Sequence, residues 1–300
     1  MSPDAKIESK NNILAAARTE KGLAGCDLKK ADLSQADLSG AHMFDACLEG
    51  ASLVGVNLAG CDLTHCNMAN ADLTKANLTG ARLWNADLSG ANLTECDLTG
   101  ADLWNAKLFN VKLWQANFER AKSISRRSFS SQAGLLDSVK INETGSAQAE
   151  DSYRNLKAYF MARGMYNDAG WASFKEKVME RFSLKKSGNL KYFPSLAMSA
   201  LCGYGEKPFR IIFASLFTII LFALFFYSHN AIEYTGIRES PLRWGDYLYY
   251  STITFTTVGY GDIVPKPQTL FRLMAAFEAF MGVFLTGLFI FTLARKYSAR

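Results

Sequence analysis

The heptapeptide TTVGYGD, Thr256 to Asp262, lies between two hydrophobic stretches near the C-terminal end of a 300-residue chain. The chemistry it offers is in its backbone. Gly259 and Gly261 tolerate φ > 0, which a strand needs if its consecutive carbonyl oxygens are all to point one way. A row of that kind supplies oxygen ligands to a cation that has shed its water. Elsewhere no nucleophile, base and orienting group converge, so an enzyme is not expected. The six cysteines, Cys26, Cys47, Cys61, Cys66, Cys96 and Cys202, contain no CxxC pair. Without an N-terminal apolar core of signal-peptide length, they read as reduced cytoplasmic thiols.

The heptapeptide needs elements that hold it. Between Ile211 and Ile232 no residue is charged, and the first 17, IIFASLFTIILFALFFY, are almost wholly apolar; with their flanks they can cross ~30 Å of hydrocarbon. A second apolar stretch from Arg272 to Arg295 holds one ionisable residue, Glu278. Lys207 and Arg210 precede the first stretch, and Arg295, Lys296 and Arg300 follow the second. Positive residues at both outer ends put both termini in the cytoplasm and the intervening loop on the opposite side. Lys185, Lys186 and Lys191 beside Tyr192 and Phe193 form a basic, aromatic approach to the cytoplasmic membrane surface.

Two spans with a loop carrying TVGYG resemble the pore module of potassium channels, from about Phe209 to Lys296. The resemblance implies that the carbonyls of Thr257, Val258, Gly259 and Tyr260, with the Thr257 hydroxyl, line a path for K⁺, the permeant ion. Val258 and Tyr260 side chains would point into the surrounding protein, with Thr256, Gly261, Asp262 and Tyr249 supporting the filter. One loop gives one oxygen per layer, so four chains are required, as a homotetramer in a lipid bilayer. WGDYLYYSTITF would supply a re-entrant pore helix from about Asp246 to near Thr256, shielded by protein and presenting its C-terminal dipole to a cation.

The sequence also departs from the family. Some members carry a glutamate four residues before the filter threonine, where this chain has Ile253; Asp262 then needs another partner, and the Tyr249 hydroxyl is the candidate. Gly282 stands at the family's hinge glycine and Gly287 offers a second flexible point, although glycine equally permits close helix packing. Glu278 is costly in a bilayer and is expected to face protein, bonded to Ser251 or Thr252. Direct steep voltage gating lacks its charge carrier, because no Arg-rich helix precedes the pore. No nucleotide fingerprint or EF-hand loop appears either, so the regulatory ligand stays unassigned.

The front third has a different rhythm. From Leu23 to Phe118 every fifth residue is Leu, Met or Phe, giving 20 unbroken centres, and the residue two positions earlier is mostly small. Neither a helix nor a strand has this period; it demands a turn in every repeat, with both residues facing inward. This resembles the pentapeptide-repeat family, whose units build a right-handed, four-sided β-helix. Four repeats to a coil imply a solenoid roughly 24 Å long at ~4.8 Å per coil. The large residues would stack in columns such as Leu23, Met43, Leu63, Leu83 and Leu103. Cys26, Cys61, Cys66 and Cys96 take the small inward position, whereas His65 points outward, which rejects zinc at Cys61, His65 and Cys66. Ile7, Ile13 and Leu14 could form a helical cap on the open first coil.

After Ala121 the period is lost and SISRRSFSSQAG reads as an irregular exit. Tyr153, Leu156 and Phe160 then form one helical stripe and Trp171, Phe174, Val178 and Phe182 another. Asp151 or Ser152 could cap the first helix and Asn167 the second, with Gly164 ending the first. The resulting hairpin is either a packed connection or an element that transmits a signal between repeats and membrane.

The expected fold class is therefore mixed: a cytoplasmic quadrilateral β-helix, a helical hairpin, and an all-α two-span pore domain with a re-entrant helix. The domains are an N-terminal cap at 1–21, the repeats at 22–121, a linker and juxtamembrane segment at 122–206, and the pore at 207–300. The chain would be a multi-pass protein of the plasma (inner) membrane. Residues 22–121 hold 12 acidic and 7 basic residues, which invites comparison with acidic DNA-mimicking repeat proteins, but the surplus is modest and membrane tethering would hinder that role. A nonselective cation channel would more naturally depart from TVGYG. No nucleic-acid partner is expected, since the basic remainder of the chain suits anionic lipid.

Overall fold

A computed structural model describes residues 10–19, 22–129, 146–236 and 241–298. Ile7 and Arg300, and the side chains of Arg295 and Lys296, lie outside the described residues. The chain divides into two compact units, Met1–Ser187 and Gly188–Arg300.

In the first unit, the repeat centres from Leu23 to Leu103 donate their backbone N–H to the next coil, as from Leu28 to the Cys47 carbonyl at 2.8 Å, while the Cys47 N–H returns to the Cys26 carbonyl at 2.9 Å. Parallel bridges join residues 20 apart, from Asp27↔Cys47 to Asp102↔Lys122, so four five-residue sides make one coil. Each corner closes by a turn such as Ala31 N–H to the Leu28 carbonyl, 3.1 Å. The residue before the closing N–H has positive φ whether it is glycine, as Gly40, or not, as Lys30 at 57°. Leu23, Met43, Leu63, Leu83 and Leu103 are all fully buried. Nearly every interior position is apolar because no water reaches the axis and the backbone bonds are already satisfied by the stacked coils.

Cys61 and Cys66 share that interior and donate to the Leu38 and Met43 carbonyls, while His65 is exposed. Burial pushes the Cys61 thiol up to about 11 and the Cys66 thiol up to about 12 from an ordinary 9.0, and raises Cys96 as well. Their contribution to stability is therefore full below pH 9 and is lost as pH rises toward the folded values, where the unfolded chain ionises first. Titration of the native protein with a thiol reagent near pH 8 is expected to label half-buried Cys26 and Cys47 and to spare buried Cys61, Cys66, Cys96 and Cys202 until denaturant is added; rapid labelling of Cys66 would contradict this packing.

Both ends of the stack are covered. α1, Lys10–Ala17, buries Ile13 and packs Leu14 against the same core, and Lys10 Nζ donates to the Ser34 carbonyl. At the other end α2, Ser146–Ala162, and α3, Tyr166–Lys186, form a hairpin whose Leu156, Phe160, Ala169 and Ala172 join the solenoid core. Tyr159 donates to the Ala121 carbonyl at 2.9 Å, and Trp171 stacks on Phe129 with ring centres 5.6 Å apart. The boundary expected at residue 206 is thus displaced: the chain divides after Ser187, and the hairpin belongs with the repeats.

Two local expectations for the hairpin are corrected. Asp151 and Ser152 lie inside α2, and Asn167 lies inside α3, whose cap position is Met165 with no side-chain bond; Gly164, at φ 70°, does end α2, with Met165 N–H returning to the Phe160 carbonyl as in a Schellman turn. The buried face of α3 runs through Ala169, Ala172, Glu176 and Met179, leaving Phe182 exposed. Glu176 is drawn inside because Arg154 and Lys157 of α2 each reach one of its oxygens, both at 3.2 Å. An apolar count along α3 does not register this pairing.

The second unit begins with α4, Tyr192–Cys202, which ends at Gly203 with φ 56°. α5, Phe209–Ser228, leads to strand β1, Ile232–Tyr234; α6, Trp244–Phe255, leads through the 256–262 loop to β2, Ile263–Pro265, and α7, Thr269–Ser298. α5 and residues 269–294 of α7 are long and apolar enough to cross a membrane. Most of their apolar surface is uncovered within the chain, with Phe213 71%, Phe217 66% and Phe280 65% exposed. Water would penalise such surface heavily; lipid or neighbouring chains would not.

Candidate ion pathway

α6 starts at Trp244, two residues before the expected Asp246, because the Asp246 carboxylate turns back to accept the Arg243 N–H at 2.8 Å. It stops at Phe255, and Thr256 bonds its hydroxyl to the Thr252 carbonyl at 2.8 Å. The loop then hangs on the last turn of this helix. Thr257 N–H donates to the Thr254 carbonyl at 3.0 Å, and Val258 and Gly259 N–H both donate to the Ile253 carbonyl, at 3.0 and 3.3 Å.

Thr257, Gly259 and Gly261 have φ of 58°, 52° and 78°. Left-handed residues alternate with ordinary ones, an alternation that can cancel the half-turn between successive peptides and turn successive carbonyls to the same side. Thr257 is the member of this set that sequence reasoning missed, since a β-branched residue at positive φ costs about 1–3 kcal/mol and persists only where the surroundings over-determine it. Its context, with alternate glycines two and four residues on, is the signal that could have revealed it.

Asp262 accepts from the Tyr249 hydroxyl across 3.1 Å. Gly261 is held from outside the loop: Thr235 donates its hydroxyl to the Gly261 carbonyl at 2.8 Å, and its N–H to the Asp262 carbonyl at 3.1 Å. Thr235 follows β1, whose antiparallel pairing with β2 sets Ile232 opposite Pro265 and Tyr234 opposite Ile263. This clamp was not foreseen, because three-residue strands leave almost no periodic trace.

Val258 is 53% and Tyr260 73% exposed, so the protein expected around them is not supplied by their own chain. Glu278 and Ser251 are both fully buried. The Ser251 hydroxyl touches Glu278 Oε1 and also lies 2.8 Å from the Ile219 carbonyl of α5, whereas Thr252 bonds within its own helix. Gly282 abuts the end of α6, while Gly287 faces open space; α7 is helical through both.

Comparison with known proteins agrees with this division. The family described as ion channel matches residues 211–299, and pentapeptide repeats match within residues 23–122. Two pore potassium channel a of Oryza sativa subsp. japonica is 37% identical over 85 residues, 28% of this chain and 24% of that protein. Two pore potassium channel b of the same plant is 34% identical over 88 residues, 29% of this chain and 24% of that protein. The chain thus spans about a quarter of the length of these curated relatives. A pentapeptide repeat protein from the cyanobacterium Cyanothece 51142 is 34% identical, with 32% of this chain and 63% of that one covered at a TM-score of 0.27. The chain thus joins a region similar to pentapeptide repeats to one similar to ion channels, and the latter holds both helices long and apolar enough to cross a membrane.

Proposed function

We propose that the chain is one subunit of a tetrameric K⁺-selective channel of the inner membrane, with both termini and the repeat domain on the cytoplasmic side. The observation that carries this reading is the left-handed alternation at Thr257, Gly259 and Gly261, combined with the Val258 and Gly259 amides turned back to Ile253. A backbone so bonded keeps its carbonyls free to replace the hydration shell of a monovalent ion. The kinship with channels that the Oryza proteins' names associate with potassium supports the choice of ion.

Tetramer formation supplies the remaining oxygens of each layer and covers Val258 and Tyr260. α6 is the re-entrant pore helix, tolerable at membrane depth because protein encloses it; its C-terminal end faces the ion. Asp262, tied to Tyr249, and Gly261, tied to Thr235, brace the outer end of the filter. Gating signals enter through the repeat domain and the α2–α3 hairpin packed on its core.

The full chain reconstituted in liposomes is expected to release K⁺ down its gradient, to be blocked by Ba²⁺, and to pass Na⁺ poorly. Equal Na⁺ and K⁺ fluxes would defeat the selectivity assignment, and a particle without fourfold stoichiometry would defeat the filter itself.

A further inference from the structure

Two contacts join α7 to α6 one helical turn apart. Glu278 meets Ser251, and four residues on, Gly282 lies against Phe255, itself four residues after Ser251. Residues four apart share a helix face, so the two pairs run in step along both helices. The second contact is backbone against backbone: a Cβ at Gly282 would stand 1.8 Å from the Phe255 carbonyl oxygen and 2.8 Å from its carbon. At Gly287 the same added atom would meet nothing within 4 Å.

The first contact has a proton count. Ser251 Oγ lies 2.8 Å from the Ile219 carbonyl oxygen as well as touching Glu278. A hydroxyl has one proton, and a carbonyl only accepts. With Ser251 donating to Ile219, its contact with Glu278 is a hydrogen bond only when the carboxyl donates. Glu278 Oε2 is buried with no partner among the described residues, which a neutral acid tolerates far better than a carboxylate. Carboxylic acid, serine and carbonyl then form one chain of bonds tying α7, α6 and α5 together.

Phe255 immediately precedes the 256–262 loop, and the Val258 and Gly259 amides hang on Ile253 in the same turn. Whatever fixes that turn fixes the carbonyls. We propose that the Glu278–Gly282 stripe of α7 is the seat of the pore helix and sets ion selectivity: Gly282 is a positioning residue rather than a hinge, and Glu278 acts as a neutral hydrogen-bond donor. This rests on the reading of the loop as a K⁺ filter.

The test measures Na⁺ and K⁺ flux ratios in liposomes for the full-length wild type and for Gly282→Ala, Glu278→Ala and Glu278→Gln, with assembly checked by size. A wild type that passes both ions equally overturns the filter reading and the inference with it; a selective wild type isolates the seat. Gly282→Ala and Glu278→Ala are expected to raise the Na⁺/K⁺ ratio about tenfold or more, and Glu278→Gln to stay within about twofold of wild type. Gly282→Ala with altered total flux at an unchanged ratio would make the glycine a hinge and overturn the proposal. Should that variant fail to assemble, the Glu278 pair decides: lost selectivity in alanine with its retention in glutamine supports the seat, and equal behaviour of the two overturns it.

Discussion

Gly259→Ala is expected to reduce K⁺ flux through the reconstituted channel by at least about a hundredfold, a barrier increase near 2.7 kcal/mol, while leaving the protein assembled. A Cβ at Gly259 would meet nothing within 4 Å in its own chain, so the folded subunit has room for it. The penalty is conformational. At φ 52° an L-residue crowds its own carbonyl, costing roughly 1–2 kcal/mol, and the four subunits of the proposed tetramer bring this to about 4–8 kcal/mol per filter. Thr257 already holds a non-glycine residue at φ 58°, so the loop carries strain before the substitution. The cheapest relief is rotation of the 258–259 peptide, which swings a carbonyl off the ion path. Flux ratios read in liposomes decide the matter, and an alanine variant conducting within a few-fold of wild type would mean that this backbone does not ligate the ion.

Leu63→Asp is expected to abolish the cooperative folding of the repeat region. Leu63 is fully buried between Met43 and Leu83 in one column, and its N–H holds the next coil through the Arg82 carbonyl at 2.8 Å. An unpaired carboxylate there costs several kcal/mol even after relaxation, comparable with the 5–15 kcal/mol that keeps a whole domain folded. A solenoid is stabilised by nearest-neighbour interfaces, so a central defect removes two of them, and α1 and the hairpin lose the stack they cap. Limited proteolysis of residues 23–122 and far-UV circular dichroism report the loss. Every group that braces the loop, from Thr235 to Gly282, lies in the unit Gly188–Arg300, so any channel that still assembles is expected to keep the wild-type Na⁺/K⁺ ratio. A variant whose repeats melt at the wild-type temperature would contradict the columnar core.

These cases show where local pattern suffices. The five-residue period identified the inward positions because an interior axis accepts apolar residues at one spacing only, and the structure stacks coils 20 residues apart as the resemblance to pentapeptide repeats implied. The hairpin shows where it does not. Phe182 fitted an apolar stripe, yet the buried face of α3 includes Glu176, because Arg154 and Lys157 bring compensating charge from another helix. Hydrophobic periodicity assumes that charge stays in water, and the assumption fails wherever a partner is delivered by packing.

By itself the chain's order of residues determined the repeat columns, the two apolar spans, and the glycines that allow a carbonyl row at 259 and 261. Each of these follows from a preference that a residue carries with it, of side chain for water or of backbone for φ. Tertiary structure alone decided that Thr257 joins the left-handed set, that Thr235 clamps Gly261, that the hairpin closes the solenoid, and that Gly282 meets the Phe255 carbonyl. Those outcomes depend on which distant groups are brought within bonding or contact distance, and neither propensity nor period encodes a distance between helices.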